Sequence, residues 1–182
     1  MSRNKVGRTL AWLVLLAHAS FGAAHADQAP SCAPDRAVLL TDAGAVAFRV
    51  EIADDAAERA QGLMNRAALD RRAGMLFIYD TPREVAFWMR NTLIPLDMVF
   101  FDAAGVIRHI HHNARPLDDT PIPGAAPGDP APQRLMILEI PGGEAARSGL
   151  AKGQAMAHPA LDQRRAALPC ATLAAGRHAP SQ

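Results

Sequence analysis

Between Met75 and His112 the chain carries four short runs of aromatic, β-branched and aliphatic residues, set among Gly, Pro and Asp. No other feature constrains the fold as much. The runs are Met75 to Tyr79, Val85 to Met89, Met98 to Phe101 and Val106 to His112. Such residues suit a pleated, half-buried surface, and short runs bounded by turn formers read as strands. Asp102-Ala103-Ala104-Gly105 has the composition of a tight turn, which joins the last two runs as a hairpin. A similar cluster, Thr41-Asp42-Ala43-Gly44, separates Ala37 to Leu40 from Val46 to Ile52 and predicts a second hairpin. Leu135 to Ile140 supplies another strand. The fold class expected is α+β, mainly β: a compact, antiparallel-rich sheet or barrel-like single domain with two or three short helices.

The helices are signalled by caps and spacing. Asp55-Ala56-Ala57-Glu58 has the acid-x-x-Glu pattern of a capping box, and Ala56, Ala60, Leu63 and Met64 share a helical face, predicting a helix that ends near Arg66. Glu144 to Ser148 reads as a helical turn stopped by Gly149, and Pro159 to Leu168 as a short C-terminal helix before a tail. From Arg115 to Gln133 six prolines exclude both a sheet ladder and a helix. The scarcity of apolar anchors there favours an insert without fixed structure over a lid.

Residues 1–26 read as a cleaved signal peptide: Arg3, Lys5 and Arg8 precede the apolar stretch Leu10 to Ala17, and Ala24-His25-Ala26 gives the small-residue cleavage pattern. The apolar stretch falls short of the roughly 20 residues a membrane span needs, so no transmembrane segment is expected after cleavage. Residues 27–36 form an N-terminal extension, 37–157 the domain, and 158–182 the C-terminal helix and tail. A periplasmic or secreted location follows, and in such an oxidising compartment Cys32 and Cys170 are expected to form a disulfide. The leader holds three of the 19 basic residues and none of the 18 acidic ones, leaving 16 against 18. That balance argues against nucleic acid as a partner, because a phosphate backbone is met by clustered positive charge.

The stretch Phe87-Trp88-Met89-Arg90-Asn91-Thr92-Leu93-Ile94-Pro95-Leu96-Asp97 closely resembles the exported bacterial and archaeal family catalogued as domain of unknown function 192, also called uncharacterised protein family 0127. Gly62-Leu63-Met64-Asn65-Arg66, Gly74-Met75-Leu76-Phe77, Phe101-Asp102 with Gly105, Leu138-Glu139 and Gly149-Leu150-Ala151-Lys152-Gly153 resemble its other landmarks, in order. The resemblance implies a compact, mostly β fold with small helices outside the cytoplasm, and no established activity. Arg90 stands where the family usually has lysine, Gln154 where it often has aspartate, and the proline loop is longer than usual.

The candidate ligand-binding residues are Arg66, Trp88, Arg90, Asn91, Thr92 and Asp97. If 87–92 is a strand, Trp88, Arg90 and Thr92 share a face, and the bend after Thr92 is expected to return Asp97 beside Arg90 or Asn91, with Arg66 joining them. Such a cluster beside Trp and Met suits a small polar ligand, the guanidinium facing a carboxylate or phosphate. The competing reading makes Asp97 the structural ion-pair partner of Arg66 or Arg90, with the Asn91 amide satisfying the bend. Neither a Ser-His-Asp arrangement nor a GxSxG motif is present, so no catalytic residue is assigned. Glu84, Asp97, Asp102 and Glu139 are the carboxylates available for acid–base hydrolysis, though spacing places no two of them at a catalytic separation. His109 and His111 share a strand face and are the weak metal candidates, with a third ligand lacking nearby. No cofactor is expected. The leading functional expectation is an exported domain that binds a small polar ligand or an envelope protein partner. The alternative is a hydrolase acting on an envelope component through carboxylates or a His-bound metal.

Overall fold

The computed structural model describes residues 31–175, so the expected leader and cleavage site, within residues 1–30, and residues 176–182 lie outside the described residues. Strands β1 (Arg36–Thr41) and β2 (Gly44–Ala53) form the first hairpin, in register from Arg36 opposite Arg49 to Thr41 opposite Gly44. Thr41 closes its turn by donating its hydroxyl to the Gly44 carbonyl at 2.8 Å. Helix α1 (Ala56–Gln61) opens on the expected capping box: the Asp55 side chain accepts the Glu58 N–H at 2.8 Å, and the Glu58 side chain accepts the Asp55 N–H. It ends at Gly62, in the left-handed region at φ 48°, one turn short of Arg66.

The chain continues through β3 (Ala73–Arg83), β4 (Ala86–Phe87), β5 (Leu96–Phe101), β6 (Ile107–Ala114), β7 (Ile122–Pro123), β8 (Arg134–Pro141), α2 (Glu144–Arg147), β9 (Ala155–Ala157) and α3 (Cys170–Ala175). Seven strands make one sheet in the order β6-β5-β8-β3-β2-β1-β9, while β4 and β7 pair separately. The β2–β3 pair is parallel and the other pairs are antiparallel. The sheet curls until its outer strands meet. Val106 bridges Ala155, the Ile107 N–H donates to Gln154 O at 2.9 Å, and the Met156 N–H donates to Gly105 O at 2.9 Å. The curl thereby protects the two edges that an open sheet would expose.

Both faces of this sheet are covered. Leu39, Phe48, Leu76, Val99, Phe101, Met136, Leu138 and Ile140 pack on the inner face. Met75, Phe77, Leu96, Met98, Phe100 and Ile137 pack on the outer one, beneath Leu63 and Met89. Double coverage explains why β3, β5 and β8 read as largely apolar runs, interrupted by Asp97 in β5 and Glu139 in β8, rather than as alternating ones.

Three expectations are corrected. The run Val85 to Met89 yields only the two residues of β4, because the chain turns away to cover the sheet. The proline-rich stretch does hold a short ladder, β7 against β4, and it has a fixed course. Its organiser is Arg134, fully buried, which donates to the carbonyls of Gly124 (2.8 Å), Ala131 (2.6 Å) and Gln133 (2.9 Å) and pairs with Asp129. Finally, residues 159–168 are turns rather than a helix: the Asp162 side chain accepts the Arg164 N–H at 3.1 Å, the local bond by which Asp competes with helix. The helix starts at Cys170, which forms a disulfide with Cys32 and ties the C-terminal segment to the start of the domain. Among the described residues no helix is long and apolar enough to cross a membrane.

Candidate functional site

Strand register places five residues in a row across the outer face: Glu51 on β2, Met75 on β3, Glu139 on β8, Met98 on β5 and His111 on β6. The neighbouring row is Ala53, Phe77, Ile137, Phe100 and His109. A carboxyl therefore stands at the centre of a face that is otherwise apolar on both sides of it. Two segments close over that centre, Gly62 to Met64 after α1 and Phe87 to Thr92 from the end of β4 onward. Glu139 is left 4% exposed.

The carboxyl faces a small cavity of about 40 Å³, open to solvent on one side and lined by Gln61, Leu63, Met64, Phe77, Phe87, Trp88 and Thr92, with Arg59 at its side. Among the described residues no side-chain hydrogen bond or ion pair reaches it, and its oxygens keep a narrow contact with solvent, since no fully buried side-chain oxygen there is left without a partner. Burial alone pushes the carboxyl up from 4.5 to about 8. Gly74 makes the position possible, since a Cβ there would lie 2.4 Å from the Glu139 carbonyl oxygen. Tyr79 lies near enough for a Glu139 charge to act on it; its phenol is raised first by burial, against the pull of Arg59 and Arg83.

The covering segments are held by backbone bonds. The Asn65 N–H donates to Asn91 O at 2.8 Å, the Met89 N–H to Asp118 O at 2.8 Å and the Leu117 N–H to Thr92 O at 3.1 Å. Asn65 (φ 61°), Asn91 (φ 54°) and Leu117 (φ 60°) sit in the left-handed region, which costs a non-glycine residue about 1 kcal/mol or more. Asn takes this conformation readily, so Leu117 is the strained position of the three.

The structure separates the candidate residues into groups. Trp88 and Thr92 line the cavity. Trp88 is 48% exposed, and the Arg90 guanidinium lies 4.2 Å from its ring centroid while its Nε pairs with Asp119 at 3.0 Å. The Asn91 amide contacts Met64 Sδ at 4.0 Å. Arg66 pairs twice with Glu51, at 2.5 and 2.6 Å, and this bond holds the Glu51 carboxyl below its usual range. Asp97 is fully buried and accepts the Asn113 N–H at 2.7 Å and the Ala145 N–H at 2.8 Å. The expected approach of Asp97 to Arg90, Asn91 or Arg66 is thus not made. Asp97 is already inside β5, opposite Ile140, and strand alternation turns it away from Glu139, which opposes Met98.

Of the other carboxylates, Asp102 caps its own turn by accepting the Ala104 and Val106 N–H groups, and Glu84 is exposed. His109 and His111 do share the outer face, where His109 stacks on Phe100 with centroids 5.7 Å apart. Burial first, and His111 next, lower the His109 imidazole below its ordinary range. No group of three His, Cys, Asp or Glu side chains suited to a metal ion occurs among the described residues. Sequence reasoning named Glu139 as a carboxylate but gave it no site, because an apolar strand with one Glu does not show that the Glu-bearing face will be covered.

The family model DUF192 (Uncharacterized ACR, COG1430) matches residues 38–158. The chain belongs to this family. Solved structures similar to this DUF192 chain include a protein of unknown function from Novosphingobium aromaticivorans DSM 12444, 40% identical with a TM-score of 0.61, covering 66% of this chain and 82% of that one. Another is a Sinorhizobium meliloti 1021 protein described as a "putative transcription regulator", 36% identical with a TM-score of 0.61, covering 70% of this chain and 95% of that one. No curated protein matches the chain. Several of the segments that carry the resemblance meet at one place in the DUF192 fold: Gly62-Leu63-Met64, Phe77, Phe87-Trp88, Thr92 and Glu139 line the same cavity, while Phe101-Asp102 and Gly149 to Gly153 lie elsewhere.

Proposed function

We propose that this DUF192 protein is an exported binding protein whose site is the cavity around Glu139. A small polar group of the ligand or partner enters the cavity, and the rest lies against Trp88 and Arg90. One observation carries the reading: a carboxyl 4% exposed at the base of a small open cavity, with no side-chain hydrogen-bond partner among the described residues. A structural carboxyl of this burial is expected to be paired, as Asp97 is, because an unpaired one costs stability. Thr92 and Asn91 shape the bend above the cavity, whereas Arg66 and Asp97 serve the frame around it.

Export is supported by the leader pattern of residues 1–26 and by the Cys32–Cys170 disulfide. Regulation of transcription through DNA finds no electrostatic support in a mature charge of 16 basic against 18 acidic residues. The hydrolase reading draws on the same carboxyl, which is protonated at neutral pH and suited to donate a proton. It ranks second because a two-carboxylate mechanism needs a partner roughly 5 to 9.5 Å away, and Glu139 is the one carboxyl among the described residues that line the cavity.

The test is a thermal-shift screen of the purified protein against amines, organic acids, sugars, phosphates and metal ions. A ligand at about 100 times its dissociation constant adds about 2.7 kcal/mol, a rise of several degrees for a chain of this size. The expected result is a selective rise that disappears in Glu139→Gln and shrinks in Trp88→Ala. A screen without any shift, or a shift untouched by both substitutions, contradicts the proposal.

A further inference from the structure

The walls around Glu139 specify a charge. Phe77 and Phe87 meet edge to face with centroids 5.0 Å apart, and Trp88 completes the aromatic side of the cavity. The Met75 and Met98 positions flank the carboxyl in the sheet. A buried carboxyl beside aromatic faces is the composition that holds an organic cation, the ring quadrupoles and the carboxylate acting on the same positive group. A bare metal ion is poorly served, since hard cations ask for about six oxygen ligands and this lining offers Glu139, the Gln61 amide oxygen and the Thr92 hydroxyl as its side-chain oxygens, beside the Arg59 cation. The volume of about 40 Å³ admits the head of a chain, one ammonium with its first methylene, rather than a whole metabolite.

Resting on the binding reading above, we propose that the cavity takes the protonated amine at the end of a ligand, paired with the Glu139 carboxylate between the aromatic walls. Glu139 enters this pairing as the neutral acid. Binding transfers its proton to solvent: the O–H bond breaks, the electron pair stays on the carboxylate, and the ammonium keeps all its protons. The charged and titratable groups facing the site are few. Arg59 on α1 lines the cavity, but it is engaged with the carbonyls of Asp54 and Ile78 and lies 5.0 Å from the Tyr79 centroid. Tyr79 faces from β3, Glu51 and His111 end the row that Glu139 centres, and Arg90 is held outside Trp88 by Asp119.

The experiment follows the unfolding midpoint from pH 6 to 9 with n-butylammonium chloride or Nα-acetyl-lysine amide, against sodium chloride of equal ionic strength. Coupling to one released proton makes the apparent affinity rise about tenfold per pH unit until Glu139 ionises, then level off near pH 8. The amine-induced shift therefore grows from pH 6 to 8, flattens above, and is absent in Glu139→Gln. Equal shifts from both probes assign recognition to the terminal amine itself, as in a free small amine. A shift confined to the lysine amide assigns it to a peptide-borne lysine. No amine-specific shift, a shift independent of pH, or one retained in Glu139→Gln overturns the proposal. Loss of a polyol or acid shift in Glu139→Gln, with amines inert, overturns this inference while leaving the binding site in place. Trp88→Ala, which changes a half-exposed side chain, provides a second variant if Glu139→Gln does not fold.

Discussion

Two buried carboxyls in this chain show how the same functional group takes opposite roles. Asp97 receives two backbone N–H groups and joins β6 to the first turn of α2. Glu139, between two methionines, receives none from the described residues and is raised from 4.5 to about 8 by burial alone. The sign for stability follows directly. Between these two values the unfolded chain has released the proton and the folded chain retains it, so stability falls as pH rises through the window and is flat on either side. At about 1.4 kcal/mol per unit the full effect is a few kcal/mol. Glu139→Gln should therefore be more stable than the parent at pH 8.5 and lose that advantage near pH 4.5, as read by urea unfolding. An equal difference at both values contradicts the assignment. The sequence shows a Glu in an apolar strand but not this contrast, because which face a residue takes depends on where β5 and β8 begin and pair. Asp97 illustrates the point, since the bend was expected to end at this residue and β5 starts before it.

At the scale of elements, the parts legible in the sequence are those written in local chemistry. The Thr41–Gly44 turn and the Asp55–Glu58 capping box lie where their residues point. The parallel pairing of β2 with β3 and the shortening of β4 depend on distant packing and leave no local mark. The proline-rich loop was misread for a related reason: its anchor lies outside it, at the first residue of β8. Arg134 binds three carbonyls and Asp129, and without the guanidinium those carbonyls lose the partner that holds the loop's course. Arg134→Met should release residues 115–133 while the rest of the sheet holds. Limited proteolysis with mass spectrometry should find cuts confined to this loop, much faster than in the parent. Equal resistance in both proteins would show that the loop is held by other means.

At the scale of the whole molecule, the curled sheet, the covering segments and the disulfide act on one another. The Cys32–Cys170 link spans 138 residues and, on the chain-entropy model, removes about 5 kcal/mol of freedom from the unfolded chain. This pairing was legible from the leader and the cysteine count together. The family resemblance was equally legible as a set of segments, but their meeting place was not, because it exists only once β8 lies between β3 and β5 and residues 62–64 and 87–92 close over it. The central claim is that this closure leaves Glu139 nearly buried and without a protein partner at the base of an open cavity, ready for a ligand. It is tested most directly by following the Glu139 side-chain carbonyl carbon by ¹³C NMR as pH is raised in the unliganded protein, with Glu139→Gln to assign the signal. The account predicts a midpoint of about 8. A midpoint in the ordinary glutamate range, near 4 to 5, would mean that the carboxyl is solvated or paired, and the cavity would lose its claim to be the binding site.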